Sequence, residues 1–214
     1  MTRTRACCAA LALALLSLLP ATPALAAGDS RTLTYRILMG DDPIGTETVT
    51  IERQGPRTRV TVEASTRVTM LFITFRYDHK REELWEGGTL VSVTTSTDDD
   101  GTPHRLELRR AGAGFRLTAD GKDADLPADA LPLTLWTPAV LKHPLLLSVI
   151  DGSRYRVAAR PVGRETVEAA GRKTDAQHHR IDGDVERDLW YADDGTLLMT
   201  RFRRSGYDIT YALK

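Results

Sequence analysis

Five histidines and one run of alternating charges are where this 214-residue chain could do chemistry. His178 and His179 are adjacent, the densest pair of potential metal ligands or proton carriers. Their surroundings alternate as a strand does, and strand neighbours point to opposite faces, so the two cannot hold one ion together. His104 and His143 have no histidine or acidic partner at ligand spacing. The stretches "STDDDG" (96–101) and "ADDG" (192–195) have the composition of calcium loops but lack the closing bidentate glutamate. They suit hairpin turns better. No G-x-S-x-G elbow, glycine-rich phosphate loop before a helix, or H-E-x-x-H is present. The expectation is a non-enzymatic protein with no catalytic residues, no metal and no cofactor.

The charged run is "YDHKREELWE" (77–86). After Tyr77, the residues His79, Arg81, Glu83 and Trp85 keep one parity, while Asp78, Lys80 and Glu82 take the other. On one reading the first set looks into a hollow, and His79 and Arg81 receive a carboxylate or phosphate headgroup there. The plainer reading, preferred on sequence grounds, is that the strand has run past the core and is wet on both faces. Tyr35, Tyr155 and Trp190 pose the same choice between ordinary core and cavity wall.

The elements that must position these residues are strands. Leu33, Tyr35, Ile37 and Met39 alternate with polar neighbours, as do Val49 with Ile51, and Val60, Val62, Ala64, Val68 and Met70. Near Leu71 the apolar phase flips to Leu71, Ile73, Phe75 and Tyr77, which demands a hairpin or bulge. "DDPIG" (41–45), Gly87-Gly88, "DDDGTP", "GAG" and "ADDG" supply further turns between short apolar-alternating runs that continue to Tyr211. The pattern predicts a mainly β chain. It has one wide, curved antiparallel sheet, a half-barrel of about ten or eleven strands, because so wide an open sheet seldom stays flat.

"LPLTLWTPAVLKHPLLLSVIDG" (131–152) is the exception to this pattern. Thr137-Pro138 is a helix start, Pro144 a stop or kink, and the prolines argue against a ladder strand. The expectation is one or two short helices from 135–150 in the concave face. Trp136, Val140 and Leu141 would line or plug a cavity with Tyr35, Phe75, Tyr77, Tyr155 and Trp190.

The first 26 residues predict an address. A basic head (Arg3, Arg5), an apolar run and Ala24-Leu25-Ala26 form a cleavable secretory signal. Cleavage near Ala26 leaves 27–214 as a single antiparallel domain with no cysteine, since Cys7 and Cys8 both depart with the leader. The expected location is the periplasm or the medium, with no membrane span in the mature chain. The whole-chain formal charge is zero, which gives no pull toward nucleic acid.

The ending "HHRIDGDVERDLWYADDGTLLMTRFRRSGYDITYAL", with "YRILMGDDPIG" and "LWTPAVL" earlier, resembles a family of uncharacterised exported bacterial proteins across essentially the whole mature chain. Its architecture is similar to the half-barrels of the LolA/LolB lipoprotein carriers and related periplasmic lipid-binding proteins. The resemblance implies a carrier or sensor whose hollow takes a lipid or other apolar molecule. The alternative is a non-enzymatic envelope interaction or scaffold protein whose hollow is filled by its own helix, with another envelope protein as partner.

Overall fold

The computed structural model describes residues 28–70 and 72–214. The signal-peptide expectation falls on residues 1–26 and so lies outside the described residues. The chain is a meander of fifteen strands. The first eight are β1 (Asp29–Met39), β2 (Asp42–Gln54), β3 (Arg57–Met70), β4 (Ile73–Glu86), β5 (Thr89–Asp99), β6 (Thr102–Ala111), β7 (Gly114–Ala119) and β8 (Lys122–Leu126). Then come β9 (Ala130–Pro132), β10 (Leu145–Leu147), β11 (Arg154–Ala169), β12 (Arg172–Gly183), β13 (Arg187–Tyr191), β14 (Leu197–Arg204) and β15 (Tyr207–Leu213).

The sheet order is β8 through β1 in sequence, then β15 through β9, so the first and last strands pair in the middle of the sheet. Its two edges, β8 and β9, are separated by only residues 127–129 of the chain. That short link brings the edges of one sheet together and curls it into a nearly closed barrel, which leaves little open edge for unwanted pairing. All ladders are antiparallel except the three-residue pairing of β9 with β10.

The curved antiparallel β architecture is as the periodicity predicts, but the half-barrel of ten or eleven strands is corrected to fifteen strands approaching closure. The unexpected strands include β8, β9 and β10, at five residues or fewer too short to display a period. The helices expected from 135–150 are also corrected. Among the described residues there is no α-helix, only a 3-10 turn at Pro138–Lys142. Its start is as read: the Thr137 hydroxyl accepts from the Ala139 N–H, and Pro138 follows it. Only five residues lie between Pro138 and Pro144, too few to repay helix nucleation. The leucines beyond Pro144 instead pair with β11, and Pro132 closes β9 at the sheet edge, where a missing N–H is tolerated. No helix among the described residues is long and apolar enough to cross a membrane.

The phase flip near Leu71 is a hairpin, with Met70 paired to Ile73. The first turn differs in detail from expectation. Gly40 takes the positive φ of 59°, while Gly45 lies inside β2, where a Cβ would sit 2.0 Å from the Ser65 carbonyl oxygen. Gly45 is needed for close strand approach rather than for an unusual torsion.

The inside of the barrel is divided. Toward the end carrying the 55–56, 87–88 and 112–113 turns, Ile51, Val60, Val62, Val93, Leu108 and Phe115 pack against Leu131, Val140, Leu146 and Leu147 as one apolar core. The 131–147 segment thus plugs this lower half. It is fixed by ladder bonds and by the Tyr191 hydroxyl, which donates to the Leu135 carbonyl at 3.1 Å. A smaller apolar cluster of Val167, Ala169, Ala176, Trp190 and Leu198 covers part of the outer face.

Candidate ligand-binding cavity

Toward the opposite end, with the 100–101, 151–153, 184–186 and 205–206 turns, the inward strand positions enclose a cavity of about 450 Å³. Its floor is the top of the plug, with Leu133, Leu135 and Trp136. Its walls combine Val49, Leu197, Phe202 and Ile150 with Tyr35, Tyr77, Tyr155, Tyr211, Glu47, His79, Arg81, Arg187 and Arg204.

Floor and wall are joined at Glu83. Its side chain is fully buried, and one carboxylate oxygen accepts both the Trp85 and the Trp136 indole N–H at 2.9 Å. The two rings meet edge to face, 5.5 Å apart. The Arg81 Nε lies 2.9 Å from the other oxygen but off the hydrogen-bonding angle, so that contact is an ion pair rather than a directed bond. The four inward residues of β4 therefore stay inside the barrel: His79 and Trp85 are buried, as is most of the Arg81 side chain. The preferred expectation that this strand is wet on both faces is corrected. The sheet closes over it, and the inward parity continues almost to the rim.

Glu47 faces this group from β2. Burial pushes its carboxyl well above the usual carboxylate range, against the smaller downward pull of Arg81 and Arg187. Arg187, at the start of β13, lies over the Phe202 ring with its guanidinium carbon 3.8 Å from the centroid. Its Nε is buried and has no hydrogen-bond partner among the described residues. Glu47 acts on it through space without contact. His79 is lowered to about 3, chiefly by burial and then by Arg81, so its ring is neutral. One nitrogen, Nδ1, meets the Thr97 hydroxyl at 2.8 Å while Nε2 is unpartnered among the described residues. Burial holds the Tyr77 phenol at about 12, and Tyr35 and Tyr211 are pushed up likewise. These hydroxyls keep their protons and remain donors.

Of the residues singled out from sequence, Tyr35, Tyr77, His79, Arg81, Trp136 and Tyr155 line the cavity together. Val140 does not, being buried in the plug core. Leu141 packs on that core and borders a separate depression with Pro138 and His179. Phe75 lies in a groove outside the rim. Trp190 faces outward between inward Leu189 and Tyr191, stacks on His178 and donates to Glu165 at 2.9 Å. Glu47, Arg187, Phe202 and Tyr211 were missed. Two of them carried a signal: Glu47 shares parity with Val49 and Ile51, and Arg187 with Leu189 and Tyr191. Each places a charge on an otherwise apolar strand face.

A crystal structure of a beta-barrel-like protein of the domain of unknown function DUF1849 from Brucella abortus is similar to this chain. Its TM-score is 0.61 over 86% of this chain and 94% of that one, at 9% identity. At that identity the likeness shows the fold alone. No curated protein matches the sequence. The family model for the domain of unknown function DUF6134 matches residues 35–214, and the chain belongs to that family.

Proposed function

We propose that this protein is an exported carrier or sensor that holds a small amphipathic anion in the upper half of its barrel. The apolar body lies against Leu135, Trp136 and Phe202, and the acidic head meets Arg187. A volume of about 450 Å³ suits a small molecule. The mixed lining favours an amphiphile over the purely apolar ligand that a greasy segment suggests.

The observation that carries the reading is Arg187. A buried Nε with no partner on a half-buried guanidinium is costly, and a carboxylate or phosphate bound in the cavity offsets that cost with a charge-assisted bond. Burial raises the Glu47 carboxyl on the same wall, which favours its neutral, donating form over a repelling charge. The scaffold alternative draws support from the fixed plug, which fills the lower half, but the plug stops below the cavity. Native mass spectrometry of the protein purified from its own cell envelope tests the choice. The expected result is a co-purifying acidic amphiphile of one stoichiometry, released on unfolding. The bare chain mass alone, with no acidic amphiphile taken up on incubation, favours the scaffold.

A further inference from the structure

The tip of the β3–β4 hairpin stands clear of the barrel. Pairing of β2 with β3 ends at Gly45 and Thr66, and pairing of β4 with β5 ends at Tyr77 and Asp99. Beyond those points the ladder joins Arg67–Met70 only to Ile73–Arg76, with Asp100 of the following turn bonding the Arg76 N–H and carbonyl. The β3–β4 ladder thus runs four residues past its pairing with either neighbour, while β2 continues to Asp42 and Asp100 still holds the Arg76 backbone, so the free end of the hairpin is its tip around Phe72 and Ile73.

The projection is apolar at its end. Phe72 is 103% exposed, Ile73 61% and Phe75 42%. These are three of the five large apolar side chains exposed on the described surface, and a soluble surface seldom gathers them without use. Cross-strand partners share a face, so Val68 and Phe75 lie on one side of the hairpin and Arg67 and Arg76 on the other. Both arginines are exposed, and neither forms an ion pair among the described residues. They sit three positions behind the hairpin's end, about 10 Å at ~3.3 Å per residue.

We propose that this hairpin docks the protein on an anionic lipid surface. Phe72 and Ile73 enter the interface between headgroups and acyl chains, and Arg67 and Arg76 meet the phosphates. The separation between apolar tip and basic pair matches the ~5–10 Å by which interfacial elements sink into a bilayer. The polarity is also right, with apolar residues at the leading end and cations behind them at headgroup level. Asp100 of the acidic 98–100 turn bonds the Arg76 backbone, so that turn sits beside Arg76, and the apolar tip at Phe72 and Ile73 leads both. A convex tip with nothing packed around it fits a fluid surface better than it fits a shaped protein pocket.

The hairpin's base also borders a groove of about 260 Å³ containing Phe75, Tyr207 and Ile209, which shares Tyr77, Asp99 and Arg204 with the interior cavity. Docking would bring that rim to the lipid, but docking itself does not depend on the cavity being a binding site.

Flotation of the purified protein with vesicles of equal parts phosphatidylglycerol and phosphatidylethanolamine tests the proposal. Comparison vesicles are phosphatidylcholine alone. The protein should float with the anionic vesicles, and Phe72→Ser with Ile73→Ser should lower the partition coefficient at least about tenfold. Arg67→Gln with Arg76→Gln should erase the preference for anionic lipid. A tryptophan placed by Phe72→Trp should shift its emission to the blue on adding vesicles. These positions are exposed, and unchanged circular dichroism and melting would verify that folding is intact. No flotation of the wild type, or equal flotation of the tip variant, overturns the proposal. So does binding to envelope fractions that is lost on protease treatment of the membranes and absent from pure lipid, which would identify a protein partner instead.

Discussion

The indole N–H groups of Trp136 and Trp85 converge on one carboxylate oxygen of Glu83, each at 2.9 Å. One of these tryptophans belongs to the plug and the other to the barrel wall. The carboxylate therefore ties the 131–147 segment to β4 at the boundary between packed core and cavity. Its other oxygen neutralises Arg81.

Removing that tie should be expensive. Glu83→Ala leaves Arg81 without its counter-charge and two indole donors unmet, a loss of about 3–5 kcal/mol. Trp136→Phe keeps an aromatic ring but loses the charge-assisted bond and part of the indole's packing volume, about 1.5–3 kcal/mol. Urea denaturation midpoints at neutral pH measure both, and Glu83→Ala should be the more damaging.

His79 should make stability depend on pH. Its folded pKa of about 3 lies below the unfolded value of 6.5, so the unfolded chain binds a proton that the native protein refuses. The native state then loses stability as pH falls from about 6.5 toward 3, at up to about 1.4 kcal/mol per unit. Glu47 works in the opposite sense. Its raised pKa means that stability is lost as pH rises above the unfolded carboxyl value. The measurement is therefore a difference, wild type minus His79→Gln, followed by urea unfolding between pH 4 and 7. A difference that does not change with pH would contradict a buried neutral imidazole.

Two glycines should separate packing from torsion. Gly45→Ala drives a methyl into the Ser65 carbonyl oxygen and must part β2 from β3 at the rim, costing about 3 kcal/mol or more. Gly40→Ala meets open space and costs only its left-handed backbone, about 1–2 kcal/mol. Thermal melts of the two variants should rank in that order.

What the sequence disclosed follows from which features are local. Strand alternation, the hairpin at the Leu71 phase flip and the 3-10 start at Thr137-Pro138 each depend on a few neighbouring residues, and each is where periodicity and capping put it. β9 and β10 are different. Three residues have no measurable period, and their parallel pairing exists because closure brings distant chain together. The cavity was half legible for the same reason. β4 displays its inward set as His79, Arg81, Glu83 and Trp85, but without knowledge of closure that polar run looks like a strand leaving the core. Arg187 and Phe202 come from the other half of the meander, and no local pattern sets them opposite Glu47. Trp190 was misplaced through its aromatic character, although its position between Leu189 and Tyr191 already turned it outward.

Glu47 should control uptake of an acidic ligand. While protonated it donates beside Arg187, and once ionised it repels the ligand's charge. Because burial raises the Glu47 carboxyl, affinity should fall as pH rises and Glu47 ionises, and Glu47→Gln should bind at least as well while flattening that dependence. Isothermal titration with a medium-chain fatty acid at a series of pH values above the free carboxyl range reads both. A fall of equal size in Glu47→Gln would assign the dependence to another group.

The central claim is that Arg187 receives an anionic head in the upper barrel. Its most direct test is a fluorescence titration of wild type and Arg187→Met with dansyl-undecanoic acid, alongside a Trp190→Ala control on the outer face. The wild type should bind saturably, one per chain. Arg187→Met should bind roughly tenfold to a hundredfold more weakly with stability unchanged or raised, as loss of a charge-assisted bond and of a buried, unpartnered Nε requires. Trp190→Ala should lose stability and keep its affinity. Equal affinity in wild type and Arg187→Met, or no saturable binding in either, would contradict the claim.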